Sequence, residues 1–170
     1  MSDITSTLQD TVRNAAGSAA PLQLVGSDSK AFYGRSAQGQ PLQLAAHRGI
    51  VDYEPSELVI TARAGTPLSE IEAALAERNQ MLGFEPPHFG SGATLGGTLA
   101  CGLSGPRRPY AGAARDFVLG MKIINGNGEL LSFGGQVMKN VAGYDVSRLM
   151  VGALGTLGVL LEASLKVLPR

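Results

Sequence analysis

The stretch "GSGATLGGTLACGLSGPRR", Gly90 to Arg108, decides how the rest of the chain is read. Six of its nineteen residues are glycine, it holds the chain's only cysteine, Cys101, and it ends in two arginines. Glycine permits positive φ and removes the Cβ that would keep a ligand at a distance. Such a stretch either brings backbone amides close to a bound group or serves tight turns and close packing. If "ATLGGTLA" opens a short helix, its free N–H groups carry partial positive charge where a pyrophosphate could lie. Gly90-Ser91-Gly92-Ala93-Thr94-Leu95-Gly96 approaches a dinucleotide fingerprint, but "FEPPHF" precedes it, and two prolines do not belong in a central parallel strand. A nicotinamide-binding Rossmann turn is therefore excluded. No glycine loop ends in the Lys-Ser or Lys-Thr that a P-loop requires.

Working outward, 170 residues suffice for one domain or two small subdomains, burying about 70% of the unfolded chain's surface. Fourteen basic and fourteen acidic residues cancel, so no global field exists to hold nucleic acid or an anionic membrane. An anionic ligand must be held locally. With no tryptophan, five Phe and four Tyr, base-stacking platforms are not expected. A single cysteine cannot form an internal disulfide, and "MSDITSTLQD" lacks the basic and apolar parts of a signal peptide, so a cytoplasmic setting is expected. The longest apolar run, "LMVGALGTLGVLL" from Leu149, is thirteen residues with three glycines. That is short of the ~20 needed to span a bilayer, leaving at most peripheral attachment through partners.

The spacing of Ile4, Leu8, Val12 and Ala15 predicts an amphipathic helix that Pro21 stops, followed by a strand "LQLV" and a polar loop, Gly26 to Arg35. Residues 40–65 read as two or three short strands, broken by Gly49 and the turn Glu54-Pro55-Ser56. Thr66 is expected as the N-cap of a helix with Pro67 at its first position and Leu68, Ile71 and Leu75 as its apolar stripe, ending near Asn79. Beyond residue 115, runs flanking "NGNG" read as a hairpin, "AGYDVSRLMVGA" as a short helix and "TLGVLLEASLKVL" as a long final strand. The order is α+β, with a smaller αβ part at about 1–88 and a larger, mainly antiparallel part at about 89–170.

Taken in order, "LVGSDSKAFYGR", "ITARAGTPLSEIEAALAERNQMLGFEPP", "GATLGGTLACGLSGPRRPY", "RDFVLGMKIINGNGELLSFGG" and "VMKNVAGYDVSRLMVGALGTLGVLLEASLKVLP" resemble the PCMH-type FAD-binding domain of the vanillyl-alcohol oxidase family. Within it the chain is similar to the FAD-binding subunits of bacterial glycolate oxidases. The resemblance spans nearly everything from about residue 20, and it implies FAD extended between two subdomains. It places Gly26, Ser27, Asp28, Ser29 and Lys30 at the first pyrophosphate loop, and Gly92, Ala93, Thr94, Leu95, Gly96 and Gly97 at the second cofactor loop. Gly155, Gly158 and Val159 fall on the segment along the adenosine side. No histidine lies between Gly26 and Arg35 to tether the flavin, so noncovalent FAD is expected.

The resemblance further implies oxidation of a small 2-hydroxy acid such as glycolate, with hydride passing to flavin N5. It also implies a complex containing a second flavoprotein subunit and an iron–sulfur subunit. A non-catalytic FAD-binding or assembly module is the alternative. Substrate contacts in that family come largely from a following cap domain, and the sequence stops at "KVLPR", so the cap is expected to be absent and no catalytic residue is assigned.

Among other polar residues, Arg107 and Arg108, directed by Gly105-Pro106, either reach a carboxylate or phosphate or are solvated or partner-facing, the latter being expected, while His88 reads as a loop residue without chemistry and His47 as surface. Asp116 is expected to pair with Arg115 or with backbone, and Lys139 and Asn140 read equally as flavin-edge or structural groups. Cys101 reads as a small hydrophobe. No metal spacing and no Ser/His/Asp or Cys/His arrangement stands out.

Overall fold

The computed structural model describes residues 4–36, 38–136 and 143–170. Lys139 and Asn140 lie outside them. Helix α1 (Thr5–Gly17) carries Leu8, Val12 and Ala15 on its buried face, as their spacing predicts, and has no side-chain cap. Its hold on the protein is therefore tertiary. Strands β1 (Leu22–Val25) and β2 (Gln40–Gln43) pair in parallel, which the sequence reading did not anticipate. β3 (Ile50–Glu54) and β4 (Val59–Arg63) form an antiparallel pair around a 3-10 turn at Pro55–Glu57, where Leu58 adopts φ 57°.

α2 (Leu68–Ala76) buries Leu68, Ile71 and Leu75 completely and leads into a two-residue strand, β5 (Gln80–Met81). The expected cap is corrected here: the Thr66 side chain makes no bond to this helix. Its hydroxyl accepts from the Gly49 amide at 2.9 Å and donates to the Gly49 carbonyl at 3.2 Å. Proline at position 67 leaves the helix entrance one donor short, while the amide of Leu68 donates across the chain to the Ala93 carbonyl. A long-range clasp thus replaces a local cap.

The glycine-rich stretch contains α3 (Leu95–Cys101), which Thr94 caps by accepting from the Gly97 amide. Two single-turn helices follow, α4 (Arg108–Ala111) and α5 (Ala114–Phe117). β6 (Val118–Ile124) and β7 (Leu130–Gly134) form the expected hairpin, with the Asn125 side chain accepting from the amides of Asn127 and Glu129. α6 (Val146–Leu149) is a single turn capped by Asp145, shorter than the pattern suggested. β8 (Val159–Lys166) is the long final strand, and β9 (Leu168–Pro169) pairs with β5.

The main sheet is wholly antiparallel, in the order β3-β4-β8-β6-β7, so it draws strands from both sides of residue 88. One face is apolar: Ile60, Ala62, Met121, Ala163 and Leu165 pack with Leu68, Ile71 and Leu75 of α2 and Leu95 and Leu99 of α3. Fully burying an Ile, Leu or Met side chain of this set contributes about 1.5–3 kcal/mol. The other face is polar and internally paired, with the hydroxyls of Thr61 and Ser164 at 2.8 Å and Lys122 on Glu162 at 2.8 Å. At one end of the sheet Ile124, Val159 and Leu161 form a second core with Leu8, Val12 and Leu42. That core seats α1 and the β1–β2 pair against the sheet, and a cleft opens between them and α3.

Candidate functional site

Three backbone segments that are far apart in sequence meet at this cleft, which holds about 230 Å³ of space. The loop after β1 contributes Gly26, Ser27, Asp28, Ser29 and Lys30. Thr94, Gly96, Gly97, Ala100 and Cys101 come from α3 and its cap, and Leu154, Gly155 and Gly158 from the turn before β8. Of the residues expected at a cofactor, Gly92, Ala93, Leu95 and Val159 do not line it. Gly92 is exposed beside Ser27, Ala93 and Leu95 are buried in the main core, and Val159 in the second. The side chains of Ala93, Leu95 and Val159 serve packing.

The glycines of the two loops work differently from the simplest reading of their sequence. A Cβ at Gly96 would stand 2.7 Å from the Ala64 Cβ, and one at Gly26 would stand 2.8 Å from the Thr94 hydroxyl. Both are tighter than side chains tolerate, so the freed space is filled by the protein's own walls. The first-turn amides of α3 are also taken. Leu95 donates to the Thr66 carbonyl at 2.9 Å, Gly96 to the Ala64 carbonyl at 2.7 Å and Gly97 to the Thr94 hydroxyl at 3.3 Å. The expectation that these N–H groups are free for a pyrophosphate is corrected: they fasten α3 to the end of β4.

Free donors occur instead in the first loop. Among the described residues, the amides of Ser27, Asp28, Ser29 and Lys30 have no protein acceptor, and Asp28 takes a left-handed conformation at φ 61°. A run of consecutive amides turned through such a conformation is the geometry of an anion-binding nest. Lys30 is 8% exposed, and its ammonium donates to the Thr98 hydroxyl at 3.3 Å. Burial holds its pKa below the ordinary lysine range, with Cys101 opposing that shift. Cys101 is half-buried, and the same desolvation pushes its thiol up, with Lys30 pulling the other way. A thiol held protonated is a poor nucleophile.

Leu24, Leu44, Leu154 and Leu160 supply an apolar wall, while Tyr33 and Arg35 stand at the exposed rim. None of these six was anticipated. Their signal was available only as ordinary strand and loop residues, since it is the meeting of β1, β2 and β8 that places them together. At the outer side of the first loop, Phe32 meets Phe89 edge to face with ring centroids 5.1 Å apart. The donor set suits a ligand with a phosphate-like anionic part and apolar parts beside it. The cradle therefore fits a flavin dinucleotide.

The remaining polar candidates lie elsewhere. The Arg107 amide donates to Glu85 Oε2 at 3.0 Å and its guanidinium to Met81 Sδ at 3.2 Å, and Arg108 opens α4. His88 pairs with Glu72 at 3.0 Å. His47 is buried, at 4% exposure, so its assignment to the surface is corrected. Its carbonyl accepts from Gly65 as the chain leaves β4, which draws the residue inward. Asp116 accepts from the Ala113 amide at 2.9 Å and faces Arg148 at 3.8 Å, not Arg115. Among the described residues no three His, Cys, Asp or Glu side chains gather in a metal-binding group, and no helix is long and apolar enough to cross a membrane.

Residues 4–134 match the FAD-binding domain family, and the chain belongs to it. FAD is accordingly its cofactor, and the antiparallel sheet with flanking helices is the α+β fold expected of a PCMH-type domain. Within that class the chain is 61% identical over 99% of its length to the glycolate oxidase subunit GlcE of Escherichia coli, covering 48% of that protein. It is 34% identical to a D-2-hydroxyglutarate dehydrogenase of Xanthomonas citri over 69% of the chain, and 34% identical to a D-lactate dehydrogenase of Anaerostipes hadrus over 77%. It covers 25% and 27% of those two enzymes. The chain thus spans about half the length of the first relative and about a quarter of the other two.

Proposed function

We propose that this chain is the FAD-holding part of a flavoprotein that oxidises a small 2-hydroxy acid, glycolate being the first candidate, within a multi-subunit glycolate oxidase. The observation that carries the cofactor assignment is the first loop, where the acceptorless amides of Ser27 to Lys30 and the buried Lys30 line one wall of the cleft. The substrate class is supported by the hydroxy-acid enzymes among the relatives.

When bound, FAD supplies the two-electron acceptor that no side chain can provide. The chain's own residues bind and orient. Ser27 to Lys30 receive the pyrophosphate, and Thr94, Gly96 and Gly97 form the opposite wall. Gly155 and Gly158 line the side assigned to the adenosine, Gly92 stands exposed beside Ser27, and Ala93, Leu95 and Val159 act by holding these segments in place. FAD is held noncovalently, since no histidine occupies the first loop. The partners are a second flavoprotein subunit and an iron–sulfur subunit, and the complex is cytoplasmic or peripheral at the inner membrane. Two parts flank the cofactor, a smaller one of α1, β1 and β2 and a larger one built on the main sheet, which takes strands from both sides of residue 88.

The test is direct. The purified chain should be yellow and release intact FAD on denaturation. A colourless protein that takes up no added FAD overturns the assignment. Anaerobic bleaching by glycolate in the assembled complex supports the oxidase reading, whereas a complex that never bleaches with any 2-hydroxy acid leaves the non-catalytic module as the function.

A further inference from the structure

We propose that the ammonium of Lys30, hydrogen-bonded to Thr98 beside the cleft that Lys30 lines, supplies the counter-charge for the FAD pyrophosphate in place of the N-terminus of α3. The assignment deepens the FAD-binding reading and rests on it. Lys30 is more than nine-tenths buried, yet among the described residues no carboxylate lies within ion-pair distance of it. Asp28, the nearest acid in sequence, is exposed. A buried cation without an anion is an unfavourable state for a folded protein, and burial already pushes this ammonium toward its neutral form.

Two further facts define what would satisfy it. Thr98 is fully buried on α3 and its hydroxyl accepts from the ammonium at 3.3 Å, which holds the charge inside the fold beside a cleft that Lys30 and Cys101 line. Among the described residues the amides of the preceding Ser27 to Ser29 have no acceptor, whereas those of Leu95, Gly96 and Gly97 across the cleft are all used. Donors and charge therefore converge on the first loop. A group with several anionic oxygens satisfies both the amides and the ammonium, and a diphosphate is the part of FAD that has them.

The experiment titrates the FAD-free chain, as wild type, Lys30→Met, Lys30→Gln and Lys30→Arg, with FAD, ADP and riboflavin by calorimetry and flavin fluorescence. The urea midpoint of each variant is measured without ligand. FAD and ADP affinities should fall roughly 10- to 100-fold in Lys30→Met and Lys30→Gln, with a shallower salt dependence. Riboflavin binding should not change, and Lys30→Arg should recover most of the FAD affinity. The ligand-free Lys30→Met chain should be at least as stable as wild type, because an unpaired buried charge has been removed.

A folded Lys30→Met or Lys30→Gln chain with unchanged FAD and ADP affinity overturns the assignment. So does an equal loss for riboflavin, or destabilisation of both variants, since each marks a purely structural lysine. Lys30→Gln carries the test if Lys30→Met does not fold. A wild-type chain that binds neither FAD nor ADP instead removes the underlying cofactor reading.

Discussion

Gly96 donates its amide to the carbonyl of Ala64 at 2.7 Å, and a Cβ built on Gly96 would stand 2.7 Å from the Cβ of Ala64. The first turn of α3 is thus locked against the end of β4, and the cleft takes its shape from that contact.

Gly96→Ala should therefore be destabilising. The added methyl meets backbone and a Cβ, neither of which can yield, and overpacking of this kind costs about 1–3 kcal/mol. Urea unfolding should show the loss, and FAD affinity should fall with it. An unchanged midpoint would mean that the walls of the cleft are softer than the contact implies.

Thr66 and Thr94 separate a long-range clasp from a local cap. Thr94→Ala removes the α3 cap and should cost about 1 kcal/mol. Thr66→Val leaves the amide of Gly49 without its acceptor inside the fold, while the Gly49 carbonyl keeps the Arg63 amide at 3.0 Å, and should cost more, about 2 kcal/mol. The reverse order in chemical denaturation would restore Thr66 to an ordinary capping role.

Tyr53 offers a test on the other side of the molecule. Its hydroxyl donates to Gln80 Oε1 at 2.7 Å, while Gln80 Nε2 donates to the Pro55 carbonyl at 2.9 Å, which ties β3, the 3-10 turn and β5 together. Tyr53→Phe strands the buried Gln80 oxygen and should cost about 1–2 kcal/mol, read as a lower thermal midpoint, with FAD binding unaffected.

The alkaline stability of the FAD-free chain should depend on two opposed groups in the cleft. For Lys30 the folded pKa is lowered, so the unfolded chain binds more protons up to about pH 10.4. Stability therefore rises with pH through that window. For Cys101 the folded pKa is raised, so its contribution is complete below about pH 8.5 and is lost as pH climbs through the folded value. Cys101→Ala should gain stability relative to wild type between about pH 8.5 and 10, and Lys30→Met should lose it. Asp28, Tyr33 and Arg35 line the same cleft and are common to all three proteins, so they drop out of the comparison. Parallel pH profiles for the three would show that the two groups are not coupled to folding.

The local elements were legible because each has a local cause. Apolar spacing at Leu8 and Val12 makes α1, the "NGNG" turn makes the β6–β7 hairpin, and Thr94 before "LGGTLAC" makes α3. The order of motifs was enough to place the chain in a flavin-binding family. The parallel pairing of β1 with β2, the joining of β5 to β9 and the inward turn of His47 have no local cause, because each depends on a segment distant in the chain.

The candidate site divides in the same way. Sequence alone determined that three glycine-bearing segments exist and that no net charge could hold an anion at long range. Only the tertiary structure decided what those segments offer. Hydrogen bonds from Leu95 and Gly96 to carbonyls near residue 65 use up the helix terminus, and the packing of the first loop on α3 buries Lys30 against Thr98. Whether an amide or an ammonium is available to a ligand depends on which partners the fold has already brought to it, and those partners lie some thirty to seventy residues away.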